Sequence, residues 1–160
     1  MLMAAGVLLN LGQWRSPWSR HDNSDWRAAA RSINAIGLEP DTPVICPSPF
    51  IEARPPAWRP DYQLPGFLYA HLDVYPIQGR PYLFPFQTSP EAERFAMSLT
   101  RGTLSVSKSF WIYGWGGNTD FWREWFTKQP ELAGWRQTKF DSFGNIELVK
   151  FENPRHTGSQ

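Results

Sequence analysis

Pro43-Val44-Ile45-Cys46 is a short apolar run bounded by prolines, with Pro47 closing it. A run this brief and this apolar suits a strand buried on both faces, the kind parallel sheets contain. What flanks it sets the fold class. Upstream, Trp26, Ala29, Ala30, Ile33 and Ile36 recur at helical spacing, and Gly37 is placed to end the helix. Asn23 or Ser24 can cap its start near residue 24, with Asp25 in the first turn. Downstream, Ser89-Pro90-Glu91-Ala92-Glu93 combines an N-cap serine, a proline at the first helical position and first-turn acids. Ala92, Phe95, Ala96 and Leu99 give that helix its buried face, and Gly102 follows its end.

Ser109 to Tyr113 is β-branched and aromatic and reads as a second strand. Gly114-Trp115-Gly116-Gly117 then supplies a turn. Asn118 or Thr119 caps a third helix, with Asp120 in its first turn and an aromatic face of Phe121, Trp122, Trp125 and Phe126. Residues 135–140 and 146–151 flank a short loop holding Gly144 and Asn145, which predicts a hairpin. Helices alternating with strands argue a parallel α/β core. The expected fold is a three-layer, Rossmann-like α/β domain over residues 24–152. Its sheet is expected to be mostly parallel, of four or five strands, with a C-terminal antiparallel hairpin. Residues 153–160 are polar and expected to form a disordered tail.

Between the first strand and the Ser89 helix lies a long stretch, 47–88, dense in proline and aromatics. The whole chain has 15 Pro, 9 Trp, 5 Tyr and 11 Phe, so aromatics supply most of its large apolar area. The stretch shows no clear regular structure, although Leu68 to Tyr75 fits either a strand or a short helix. Loops of this length are often functional. Arg54, Trp58, Arg59, Tyr62 and His71 fall here, and aromatics beside arginines can grip a sugar or a lipid-linked phosphate. The plainer reading is that the aromatics staple the loop to the sheet. Glu52, Asp61 and Asp73 would make an acid–base pair only if folding brought two of them together.

Other chemistries find little support. Lys+Arg number 16 against 15 Asp+Glu, so there is no basic footprint for nucleic acid. Cys46 is the only cysteine, which rules out an internal disulfide and, in a buried strand, favours an inert small hydrophobe over a nucleophile. No Cys/His set has metal-ligand spacing and no cofactor is implied. No G-x-S-x-G elbow is present. The Gly114–Asn118 segment, with Trp115 and Asn118, could cradle an anion at a helix N-terminus. It matches neither G-x-G-x-x-G nor a Walker A pattern, and a tight turn is the simpler reading.

Residues 1–14, MLMAAGVLLNLGQW, are apolar apart from Asn10 and a polar end. As a helix they would rise about 21 Å, short of a bilayer core of about 30 Å. Trp14, Arg15, Trp18 and Arg20 follow at once, the pair of residue types that membrane–water interfaces select. The segment therefore reads as the last turns of a transmembrane helix, followed by a linker over 15–23. An N-terminal core helix with a polar exit is the competing reading.

Taken together, the hydrophobic helix end, the Asp25-Trp26-Arg27-Ala28-Ala29-Ala30 helix start, the Thr42-Pro43-Val44-Ile45 strand, the Phe110-Trp111-Ile112-Tyr113 strand and a hairpin ending in Val149-Lys150-Phe151 resemble a known domain. It is the soluble C-terminal domain of bacterial membrane glycosyltransferases of the GT-C, family 39 type, which are dolichyl-phosphate-mannose-protein-mannosyltransferase-like. The resemblance spans about residues 1–152 and rests on short motifs. It implies an accessory domain on the periplasmic side of the bacterial inner membrane. Its partners would be the transmembrane module of the same enzyme and a polyprenyl-phosphate sugar or glycan. That family's catalytic acids lie in a loop between early membrane helices. The 160 residues contain no such region, so no catalytic residue carries over. The alternative expectation is a free-standing carbohydrate- or ligand-binding module built on the aromatic loop. A third is a nucleotide-binding protein using Gly114 to Asn118.

Overall fold

The computed structural model describes residues 25–49, 58–60, 69–140 and 143–156. Five strands form one sheet: β1 (Pro43–Pro47), β2 (Arg80–Phe84), β3 (Ser109–Trp115), β4 (Arg136–Lys139) and β5 (Ile146–Glu152). Among the described residues four α-helices accompany them: α1 (Trp26–Ala35), α2 (Ala70–Val74), α3 (Pro90–Gly102) and α4 (Gly116–Thr127). The strand order is β2-β1-β3-β5-β4.

β1 carries the architecture. All of its residues are buried, and it pairs in parallel with β2 on one side and β3 on the other. Its prolines sit at the two ends, where fewest ladder donors are lost. β3 then pairs antiparallel with β5 along its whole length, from Ser109↔Glu152 to Trp115↔Ile146, and β5 with β4. The class is α/β and the C-terminal hairpin is present. The sheet is open and mixed, with two parallel and two antiparallel pairings, instead of mostly parallel. The reason is the order of the last two strands: the chain leaves β3 through α4 to reach the outer strand β4, and β5 returns into the gap between them, antiparallel to both.

Strand alternation sorts the core. Register places Ile45, Phe84, Phe110, Ile112 and Phe151 on one face of the sheet. There the α4 aromatics meet them, Trp122 edge-on to Phe84 at 4.7 Å and Phe126 to Phe110 at 5.5 Å. Val44, Cys46, Trp111 and Tyr113 point to the opposite face, where Trp26 of α1 meets Tyr113 at 5.4 Å.

The local expectations need five corrections. Asp25 itself caps α1, its carboxylate accepting from the Ala28 amide at 2.8 Å, so it stands outside the first turn; Asn23 and Ser24 lie outside the described residues. The stretch 47–88 contains regular structure after all. Part of it is α2, which settles the Leu68–Tyr75 ambiguity for a helix. Part is β2, whose Pro81 hides it, since proline signals a break in sequence yet is tolerated on an edge strand. Gly102 is the last residue of α3, not the first beyond it. Gly114 and Trp115 extend β3, paired to Glu147 and Ile146, and α4 begins at Gly116 with no side-chain cap. Asn118 and Thr119 thus fall inside the helix. Finally, Asn153 is buried, its amide donating to Lys108 O at 2.9 Å, and Pro154–His156 form a turn of 3₁₀ helix. A polar residue tied this way is part of the domain, whatever its composition suggests. The apolar segment 1–14, the linker 15–23 and residues 157–160 lie outside the described residues.

Candidate functional site

Open α/β sheets bind ligands at the carboxyl ends of parallel strands, where the chain's direction of travel across the sheet reverses. Here β1 leads to β2 on one side, while β3 leads through α4 to β4 on the other. The reversal falls between β1 and β3, beside Pro47, Ser48, Gly114 and Trp115.

This place is sealed by the protein's own side chains. The buried Asn118 donates through Nδ2 to Ser48 O. Ser48 N donates to Phe84 O at 2.8 Å, and Tyr69 Oη reaches the same carbonyl at 2.7 Å. Trp122 Nε1 donates to Pro85 O at 2.8 Å, and Trp58 Nε1 to Leu83 O at 3.2 Å. Each aromatic is fully buried while its polar end caps a strand-end carbonyl, which satisfies groups that would otherwise be costly to bury. Gly114 has to be small here. A Cβ on it would stand 3.2 Å from Pro47 Cδ and 3.4 Å from Thr119 Oγ1.

The start of α4 is also occupied. Gly116 N donates to Asn145 O at 2.8 Å, and a Cβ on Gly116 would stand 3.1 Å from Glu147 Oε1. The Glu147 carboxylate, bonded to Lys139 Nζ at 2.6 Å, already supplies the negative charge that the helix dipole favours. An incoming anion would meet that charge first.

On the other face of the sheet lies a cluster of Trp26, His71 and Tyr113. His71 stacks on Trp26 with ring centroids 4.0 Å apart and approaches Tyr113 at 6.0 Å. Burial pushes the His71 pKa down to about 4, and its Nε2 has no hydrogen-bond partner among the described residues. Burial, then the neighbouring Cys46 and Tyr75, push the Tyr113 hydroxyl up, and burial does the same to the Cys46 thiol. All three are therefore neutral at pH 7. Among the described residues Nε2 meets no carboxylate that could orient the imidazole for general base work.

The residues singled out from sequence are thus dispersed. Trp58 is fully buried against Phe95 and offers no ring face to a sugar. His71 belongs to the core cluster, Trp115 is half-buried at the end of β3, and Asn118 is buried beneath Ser48. Arg54 and Tyr62 lie outside the described residues, as do Glu52 and Asp61; Asp73 is exposed on α2. Sequence reading did not mark Trp26, Tyr113, Trp122 or Glu147 as site residues. Trp26 and Tyr113 carried a signal as parts of the Asp25–Ala30 and Phe110–Tyr113 motifs, and Trp122 only as part of an aromatic helix face. Among the described residues no group of three His, Cys, Asp or Glu side chains could hold a metal ion, and no helix is long and apolar enough to cross a membrane. A surface cavity of about 300 Å³ lies at the opposite, amino end of β1 and β3, between Gly37–Pro43 and Ser107–Ser109.

Comparison with family models, curated proteins and solved structures gives no match to any of them.

Proposed function

We propose that the chain is the extracytoplasmic accessory domain of a bacterial inner-membrane glycosyltransferase that uses a polyprenyl-phosphate sugar. It packs over the transmembrane module of that enzyme and shapes its donor or acceptor cleft, without being catalytic by itself. The helices against both faces of the sheet support a three-layer, Rossmann-like description of this domain.

One observation carries the reading. Asp25, Trp26, Ala29 and Ala30 of the Asp25-Trp26-Arg27-Ala28-Ala29-Ala30 start hold α1 in place where residues 1–24 join the domain, and Trp26 reaches the sheet edge-on at Tyr113. Asp25 caps, Trp26 stacks on His71, and Ala29 and Ala30 are buried. The Asp25 amide also donates to Phe143 O in the hairpin at 3.1 Å. The closed strand ends fit a domain that positions other parts of an enzyme.

The test is transfer of radiolabelled sugar from a polyprenyl-phosphate donor by membranes holding the transmembrane module. Deleting residues 24–152 is expected to abolish transfer while the module is still made. Undiminished transfer overturns the reading.

A further inference from the structure

We infer that the cavity at the amino end of β1 and β3 binds a small zwitterion, a free α-amino acid with an apolar side chain. The inference is independent of the sugar-transfer reading and concerns the end of the sheet opposite the sealed strand ends.

Backbone bonds hold both walls of this cavity. One wall is the loop from Gly37 to Pro43. Thr42 N donates to Glu39 O at 2.9 Å, and Arg80 N donates to Thr42 O at 2.7 Å, which ties the loop to β2. Gly79 presses on the loop so closely that a Cβ there would stand 2.7 Å from Thr42 O and 3.4 Å from Leu38 Cδ1. The other wall runs from Ser107 to Ser109. There Asn153 N donates to Lys108 O at 2.9 Å and Asn153 Nδ2 to Ser107 O at 3.3 Å. Walls fixed by main chain lower the cost of ordering a site around its ligand. The volume of about 300 Å³ stands at the lower end of small-molecule pockets, which suits a ligand of amino-acid size.

The two walls carry opposite charges. Glu39 and Asp41 line the loop wall, and Lys108 lines the other. Lys108 Nζ lies 3.4 Å from Glu39 Oε1 and joins the walls, with the two side chains 71% and 74% exposed. A pair so exposed is weak and yields to a better partner. Asp41 makes no ion pair among the described residues, and the half-buried Thr42 and Ser109 make no side-chain hydrogen bond there. Leu38 and the buried Pro43 add apolar surface beside these groups. The ligand that answers all of them has an ammonium for Asp41 and Glu39, a carboxylate for Lys108 and the two hydroxyls, and an apolar side chain for Leu38 and Pro43. A plain cation leaves Lys108 unanswered, and a plain anion meets two carboxylates.

The test is a titration of the isotopically labelled full chain with L-leucine, read from the amide resonances of Leu38, Glu39, Thr42, Lys108 and Ser109. They are expected to shift together and to saturate. Isoamylamine and isocaproate, each lacking one of the two charges, are expected to bind about tenfold more weakly or worse. Asp41→Asn and Lys108→Met, both at exposed positions, are each expected to weaken L-leucine about tenfold while resonances away from the cavity keep their places. Shifts that do not saturate by about 50 mM overturn the inference. So does isoamylamine or isocaproate binding as well as L-leucine, and so does saturable binding that neither variant weakens.

Discussion

The indole of Trp26 lies nearly parallel to the imidazole of His71, with centroids 4.0 Å apart and planes inclined by 28°. This contact joins α1 to α2 and buries a titratable ring in an apolar setting. The folded protein holds His71 neutral down to a pKa of about 4, against an ordinary value of 6.5. Between these values the unfolded chain binds the extra proton, so stability rises with pH. It is complete above about pH 6.5 and is lost as pH falls toward 4, by at most roughly 3 kcal/mol. Thermal melts at pH 7 and pH 4.5 should show this loss. His71→Phe, which keeps the stack and removes the unpartnered Nε2, should flatten it. An unchanged pH dependence in that variant would refute the assignment.

Asn118 connects the start of α4 to the end of β1 through a buried bond to Ser48 O. Asn118→Ala leaves that carbonyl without its side-chain donor and should cost about 1–3 kcal/mol. For a domain of this size that is a fall in Tm of several degrees. Chemical denaturation with an unchanged slope would confirm a loss confined to the native state.

Two glycines with left-handed backbone allow a controlled comparison. Gly79 has φ +90°, and a Cβ there would stand 2.7 Å from Thr42 O, whereas Gly37 has φ +71° and open space around it. Gly37→Ala should cost about 1 kcal/mol from backbone strain alone. Gly79→Ala adds a backbone clash beside the Arg80 N to Thr42 O bond that sets the β1–β2 register. It should cost more than twice as much, and equal melting temperatures for the two variants would argue against the clash.

Ligand binding at the α4 N-terminus is expected to be absent. Binding to the native state raises stability by mass action, so ATP or pyrophosphate at about 10 mM should leave Tm unchanged. A rise of several degrees would revive the nucleotide reading and show that Glu147 yields its place.

Cys46 should resist thiol reagents in the native protein and react fully once the chain is unfolded. It is wholly buried in β1, and burial disfavours its thiolate. Rapid reaction under native conditions would mean that β1 opens locally.

The expectations that held rest on local chemistry. Ser89 accepts from the Ala92 amide at 3.2 Å with Pro90 following, as the Ser-Pro-Glu pattern predicts. Gly37 takes a positive φ at the end of α1, and Val44, Ile45 and Cys46 are buried in a strand with parallel neighbours on both sides. What failed depended on distant partners. β2 was hidden by Pro81 because an edge position cannot be read from one segment. The Gly114–Gly117 run looked like a turn because nothing local shows that β5 continues the β3 ladder to Trp115.

The Ser89 cap, the Gly37 helix end, the buried Val44–Cys46 strand and the aromatic character of the core follow from the sequence alone, since each depends on residues within one or two turns of one another. The tertiary structure alone decided what the polar and aromatic side chains do. Trp58, His71 and Asn118 are plausible ligand-binding residues until the sheet brings Leu83 O, Trp26 and Ser48 O against them. The physical reason is that a buried polar atom must find a partner or lose stability. For most of these atoms that partner lies tens of residues away along the chain, where no spacing rule reaches.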